Sequence, residues 1–124
     1  MKILAVDDET DMQTLFQQRF RSEIRSGNME FYFATSGSEA LEVLKQHNHE
    51  FVLILSDINM PGMSGLELLS QIKKEYTEPP PKVFMLTAYG DEYNYNQAMS
   101  LGADDFITKP LDFNALKEKL KSTL

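Results

Sequence analysis

The sequence predicts an α/β fold in which one parallel sheet carries helices on both faces, and three observations lead there. Five short apolar runs alternate with segments of helical periodicity along the 124 residues. The central run, Phe51-Val52-Leu53-Ile54-Leu55, lacks the polar/apolar alternation of a half-exposed strand, so it reads as a strand covered on both sides. It ends abruptly at Ser56-Asp57, and a Pro/Gly-rich turn, Ile58 to Gly65, leads into a new helical pattern. Strand, crossover helix and parallel strand connect right-handedly, so the strands finish at a common edge. In open α/β sheets that edge is where ligands bind.

Each element has its own justification. Lys2-Ile3-Leu4-Ala5-Val6 is the first strand and stops on Asp7-Asp8-Glu9. Thr10 or Asp11 can cap a helix whose Met12, Leu15, Phe16, Phe20 and Ile24 recur as one apolar stripe. Ser26-Gly27-Asn28 ends it, and Glu30-Phe31-Tyr32-Phe33-Ala34 has the aromatic content of a strand. Ser36-Gly37-Ser38-Glu39 has capping-box spacing ahead of Ala40, Leu41, Val43 and Leu44. After the central strand, Ser64-Gly65-Leu66-Glu67 repeats that spacing and opens a helix with Leu66, Leu69, Ile72 and Tyr76. Glu78-Pro79-Pro80-Pro81 closes it as a stiff connector; a ligand for a proline-reading domain is the alternative. Val83-Phe84-Met85-Leu86 is the fourth strand and ends on Thr87-Ala88-Tyr89-Gly90. A weakly amphipathic helix runs from Asp91 to near Gly102, a typical residue just past a helix end. Asp105-Phe106-Ile107-Thr108 is a short fifth strand leading to Lys109-Pro110, and Asp112 caps a last helix with Phe113, Leu116 and Leu120 inward. The expectation is five strands and five helices.

Composition narrows the chemistry. A chain of this length forms one domain and buries roughly two thirds of its unfolded surface. Cysteine is absent, which excludes a disulfide framework, a thiolate zinc site and a cysteine nucleophile. With neither a signal-peptide pattern nor a long apolar span, a cytoplasmic protein without a membrane partner is expected. Lys and Arg total 12 against 19 Asp and Glu, a net charge of −7, which argues against direct nucleic-acid binding.

The strand ends deliver a consistent set: Asp7 and Asp8 from the first, Asp57 from the third, Thr87 from the fourth and Lys109 from the fifth. An Asp that merely opens a turn or caps a helix is the bland reading of Asp57 alone. Several carboxylates, a hydroxyl and an ammonium at one edge are harder to explain that way. Like charges at 4 Å repel by about 1 kcal/mol in water and about 4 kcal/mol at an effective dielectric of 20, so positive charge is expected among them. Lys109 supplies one charge, and a hard divalent cation held by few protein oxygens, Mg²⁺ rather than caged Ca²⁺, supplies the rest. Zinc is disfavoured, because His47 and His49 lie at the far end of the second helix. Mg²⁺, a carboxylate, a lysine and a hydroxyl suit phosphoryl transfer, with Asp57 as the nucleophile that keeps the group as an acyl phosphate.

Val6-Asp7-Asp8-Glu9, Asp57-Ile58-Asn59-Met60-Pro61-Gly62-Met63-Ser64-Gly65, Leu86-Thr87-Ala88 and Lys109-Pro110 together resemble the receiver domain of two-component response regulators, over essentially the whole chain, residues 1–124. The resemblance implies a flavodoxin-like doubly wound sheet of order 2-1-3-4-5, a strand order the general rule itself illustrates with a chemotaxis receiver. It implies that Asp57 takes phosphate from a sensor histidine kinase, a phosphotransfer protein or a small phosphodonor. Asp8, Asp57 and the backbone carbonyl of Asn59 would coordinate Mg²⁺, with Asp7 acting through water. Thr87 would be the hydroxyl that meets the phosphoryl group, Phe106 the aromatic that turns inward behind it, and Ala88 the small residue that leaves room. Many relatives carry Tyr where this chain has Phe106, so a hydrogen bond from that ring is lost while steric gating survives. Lys109-Pro110 would be a cis peptide. Asn59 and Tyr89 flank the site and would influence phosphate lifetime. The partners implied are a kinase and a downstream effector, or a homodimer, met through a face to which Tyr93, Tyr95, Met99 and Phe106 could contribute.

Such a switch promotes its own phosphorylation and hydrolysis without being a conventional enzyme. Rival readings fit less well. A haloacid-dehalogenase-type phosphatase places a second Asp two residues after the nucleophile, where this chain has Asn59, and an FMN phosphate would be repelled by Asp7-Asp8-Glu9. A receiver excised from a cyclase or hybrid sensor kinase, or a phosphate-independent interaction module of the same fold, are the alternatives.

Overall fold

The computed structural model describes residues 1–47, 50–76, 80–88 and 92–123. The chain alternates β1 (Lys2–Val6), α1 (Asp11–Arg19), α2 (Arg21–Arg25), β2 (Glu30–Ala34), α3 (Gly37–Gln46), β3 (Leu53–Asp57), α4 (Gly65–Glu75), β4 (Lys82–Thr87), α5 (Glu92–Ser100), β5 (Asp105–Thr108) and α6 (Phe113–Thr123). All strand pairings are parallel, in the order β2-β1-β3-β4-β5, as expected.

The two faces of the sheet build two cores, because successive side chains of a strand point to opposite sides. In β3, Leu53 and Leu55 join Ile3, Phe16, Phe20, Phe84, Leu116 and Leu120 beneath α1 and α6. Ile54 faces the other way, with Leu4, Val6, Leu44, Leu68, Leu69, Ile72 and Ala98 beneath α3, α4 and α5. Every residue of β3 is buried, so this strand is the axis of the molecule. It begins at Leu53 rather than Phe51; Val52 ahead of it is exposed, although its amide still bonds the Lys2 carbonyl of β1 at 3.1 Å.

The described residues contain six helices, not five. The expected first helix is divided at Phe20, whose backbone leaves helical geometry at φ −105° and ψ 21°. Its ring is fully buried, stacked on Phe16, tilted against Phe31 and edge-on to Phe113. The aromatic cluster holds the break where helical periodicity alone signals none. Beyond it, Ile24 leaves the expected inner stripe and is exposed.

Helix starts follow the sequence closely. Ser36 and Ser64 each accept a hydrogen bond from the backbone N–H of the Glu three residues on, at 3.1 and 3.2 Å. Asp112 accepts from the Asn114 and Ala115 amides at the start of α6. Thr10 precedes α1 without a side-chain cap; the Glu9 and Thr10 carbonyls take the Met12 and Gln13 amides instead. Gly27 and Gly102 take positive φ, +80° and +97°, at the ends of α2 and α5. Glu78, Pro79 and the Asp91 helix start lie outside the described residues, as do His49 and Tyr89.

Candidate functional site

Five parallel strands ending at one level bring together residues far apart in sequence. Asp57 is the last residue of β3 and pairs with Leu86, one residue before Thr87 ends β4. Thr87 in turn pairs with Thr108, the last residue of β5 and the neighbour of Lys109. Asp7 follows β1, held by its amide on the Ala34 carbonyl at 3.0 Å. Below the site, the Ile58 amide bonds the Leu86 carbonyl at 3.1 Å and the Lys109 amide bonds the Thr87 carbonyl at 2.7 Å, so the loops after β3 and β5 are tied to β4. The Lys109–Pro110 peptide is cis.

The charged groups converge as their strand ends suggest. Carboxylate oxygens of Asp7, Asp8 and Asp57 can all lie within 4.8 Å of one another. Asp7 and Asp57 are buried, whereas Asp8 is exposed at the mouth. The Lys109 ammonium reaches Asp57 Oδ2 at 3.1 Å and Asp7 Oδ2 at 3.3 Å. The second Asp7 oxygen accepts the Glu9 amide at 2.9 Å, which fixes that carboxylate's rotation. Ser56, buried beneath, donates to the Asp57 carbonyl.

Burial raises the Asp57 carboxyl above its ordinary value; the Lys109 ammonium opposes this, Asp7 adds to it, and the Asn59 amide lowers it again. Burial would lower Lys109, but attraction to Asp57 and then Asp7 outweighs it and the ammonium is held above its ordinary value. Three carboxylates with one cation leave a net negative, all-oxygen pocket open to solvent on the Asp8 side. That donor set suits a hard divalent cation such as Mg²⁺.

Thr87 supplies the other telling feature. It is fully buried, and its hydroxyl has no hydrogen-bond partner among the described residues. A buried unsatisfied hydroxyl costs about 1–3 kcal/mol, so it is retained where something else compensates. Phe106 sits one strand away, half-buried, with its ring edge-on to Tyr95 at 5.1 Å. Tyr93, Tyr95 and Met99 are exposed. Asn59, in the loop after Asp57, and Ala88, just past β4, are both exposed.

In the sequence Gly65 belongs both to a capping box and to the receiver-like stretch after Asp57; the structure adds a packing reason for a glycine there. A Cβ there would lie 2.0 Å from the Asp57 carbonyl oxygen and 2.8 Å from Ile58 Cα. Its amide donates to the Ile58 carbonyl at 2.8 Å, closing the loop that carries Asn59. A Gly at the first position of a helix, where better helix formers are available, was the signal for it.

The sequence profile described as the response regulator receiver domain matches residues 3–121. Response regulator RppA of Synechocystis sp. is 34% identical over 122 residues, which cover 98% of this chain and 50% of that protein. The chain therefore spans about half the length of this curated relative. A response regulator receiver domain protein from Clostridium thermocellum superposes with TM-score 0.85 at 27% identity, over 98% of this chain and 92% of that one. Response regulator TrrA from Thermotoga maritima, solved with Mg²⁺-BeF, gives 0.78 at 34% identity over 99% and 98%. The chain belongs to the response regulator receiver domain family, which places it in two-component signalling.

Proposed function

We propose that this receiver domain is an Mg²⁺-dependent phosphoacceptor switch in which Asp57 carries the phosphoryl group. The observation that carries the reading is the buried Asp57 carboxylate against Lys109, with Asp7 and Asp8 in reach and, on the adjoining strand, a Thr87 hydroxyl without a partner among the described residues. An Asp57 oxygen attacks phosphorus, the P–O bond forms as the P–N bond of a kinase's phosphohistidine breaks, and the imidazole leaves with a proton. Lys109 follows the charge onto the phosphoryl oxygens. Asp8, Asp57 and the Asn59 carbonyl would hold Mg²⁺, with Asp7 acting through water, and the ion would supply charge neutralisation on the transferring group. The relative solved with Mg²⁺-BeF supports that assignment by likeness.

Phosphorylation gives the Thr87 hydroxyl a strong acceptor, and Thr87 moving toward it opens space that Phe106 fills. Local charge thereby alters the surface around Tyr95, where an effector or a second copy would bind. This is a switch that promotes its own phosphorylation and dephosphorylation rather than an enzyme acting on a separate substrate. Its kinase side would be a sensor histidine kinase or phosphotransfer protein. No helix among the described residues is long and apolar enough to cross a membrane.

Intact-protein mass spectrometry after incubation with acetyl phosphate tests the assignment, with EDTA and Asp57→Asn as controls. A gain of one phosphoryl group that requires Mg²⁺, is absent in the variant and is released by hydroxylamine is expected. If neither acetyl phosphate nor phosphorylated histidine-kinase donors label Asp57, the phosphoacceptor reading is wrong and a phosphate-independent interaction module replaces it.

A further inference from the structure

The free edge of β2 carries a feature that the phosphoacceptor site does not use. An open groove of about 500 Å³ lies between this edge and α2, lined by Arg21, Ile24, Arg25, Met29, Phe31 and Phe33 among others. The chain has three arginines, Arg19, Arg21 and Arg25, all within the seven residues 19–25 of an otherwise acidic sequence. Arg19 stacks over the Phe113 ring. Arg21 and Arg25 have no ion pair among the described residues; Glu23 is paired with Lys117, and Glu30, which also lines the groove, accepts from the Tyr32 hydroxyl. Two guanidinium groups therefore stand without an ion-pair partner among the described residues beside the apolar part of the groove, to which Ile24 adds an exposed side chain, and Glu30 is the one carboxylate in its lining.

The backbone of β2 offers a second, independent handle. The Glu30 amide bonds the Met1 carbonyl and the Ala34 carbonyl accepts the Asp7 amide, so even-numbered residues are turned toward β1. The N–H and C=O groups of Phe31 and Phe33 consequently point outward along the free edge. The opposite edge is guarded: β5 has four residues, with Asp105 salt-bridged to Lys119, and Pro110 follows two residues later. On β2, the sole charge is Glu30 at its first position.

We infer that this groove binds an extended acidic segment of a partner protein, which adds as a strand to the edge of β2 and presents carboxylates to Arg21 and Arg25. Alternate residues of a strand share a face about 6.7 Å apart. Positions four apart on a helix are separated by about 6 Å along its axis, so two acids spaced i, i+2 meet Arg21 and Arg25 in step. Guanidinium forks bind carboxylates in bidentate fashion, and a further apolar residue on the same face covers Ile24 and Phe31. A second copy of this chain fits poorly, since two-fold pairing of β2 with β2 would bring the arginine pairs together. Screening over about 8 Å at physiological salt makes the local arginines, rather than the net charge of −7, the field a docked segment meets.

The probe is a labelled peptide, Ser-Glu-Thr-Glu-Thr-Leu-Thr, titrated by fluorescence anisotropy with the intact domain at low and moderate salt. Saturable binding is expected, at least tenfold weaker for the Lys-for-Glu peptide and for Arg21→Glu/Arg25→Glu, a double variant of exposed residues. A peptide N-methylated at alternate amides should also lose at least tenfold, and amide NMR shifts should map to residues 30–34. Absence of binding, or binding unchanged in the double variant or by N-methylation, would overturn the inference. Sedimentation that shows concentration-dependent dimers abolished by the double variant would also overturn it, by assigning the edge to a second copy.

Discussion

Replacing Gly65 by Ala pits two opposing effects of known size against each other at the base of the site. Gly65 is the first residue of α4 and its φ is not positive, so helix propensity alone predicts stabilisation of up to about 1 kcal/mol. Against this, the new methyl would stand 2.0 Å from the Asp57 carbonyl oxygen, where ordinary contact begins at 3.4 Å, a deficit of 3.4 − 2.0 = 1.4 Å. Backbone cannot rotate out of the way as a side chain can. Overpacking of this kind costs about 1–3 kcal/mol, and the upper end applies because Ile58 Cα and the Asp57 carbonyl carbon are also closer than 3.0 Å. The net expectation is destabilisation of about 2 kcal/mol, a fall in Tm of about 5–10 °C.

Gly37→Ala is the matched control. Gly37 also opens a helix behind a capping Ser, but its Cβ would meet only the flexible side chain of Met63, at 2.8–3.0 Å. There propensity should win or the effects cancel. Because the strain in Gly65→Ala falls on Asp57 itself, its initial labelling rate by acetyl phosphate should fall about 100-fold, the scale on which a 1 Å misplacement acts. Thermal denaturation and timed intact-mass spectrometry read both quantities. Equal Tm values for the two Ala variants, or wild-type labelling by Gly65→Ala, would refute the clash argument.

Other expectations rest on the same geometry. Mg²⁺ at about 100 times its Kd should stabilise the domain by about 2.7 kcal/mol, reversibly with EDTA, and Asp8→Asn should weaken that effect in a Tm titration. Lys109→Ala should still bind Mg²⁺ but show no beryllofluoride-induced amide shifts in β5 and around Tyr95; normal shifts would remove Lys109 from the coupling. For pH, Asp57 has a folded pKa above its unfolded value near 3.8, so the folded state binds more protons between the two. Stability therefore falls as pH rises through that window, and Asp57→Asn should lack this component when urea midpoints are compared across pH. Asp104→Ala removes the acceptor of the Val83 amide and of Lys73, at 2.8 Å each, and should cost about 1–3 kcal/mol in urea denaturation without changing Asp57 labelling.

Much of this protein is written locally. The apolar runs marked all five strands: the central β3 is apolar up to its polar end because both faces are covered, and the half-exposed edge strands β2 and β5, rich in aromatic and β-branched residues, span the expected residues. Ser36, Ser64 and Asp112 announced their helices because a cap's hydrogen bond reaches only two or three residues. The polar residues ending the strands were equally legible, since a parallel topology carries every carboxyl end to one edge. Three features depended on distant parts of the chain. The division at Phe20 arises where one ring packs against Phe16, Phe31 and Phe113 together. That the Thr87 hydroxyl has no partner among the described residues follows from its surroundings, which no sequence window contains. The need for glycine at residue 65 comes from the Asp57 carbonyl pressed against it. Short-range chemistry thus determined the elements and the inventory of the site; close packing between elements decided the break in the first helix, the protonation balance of Asp57 and the tolerance of its supporting loop.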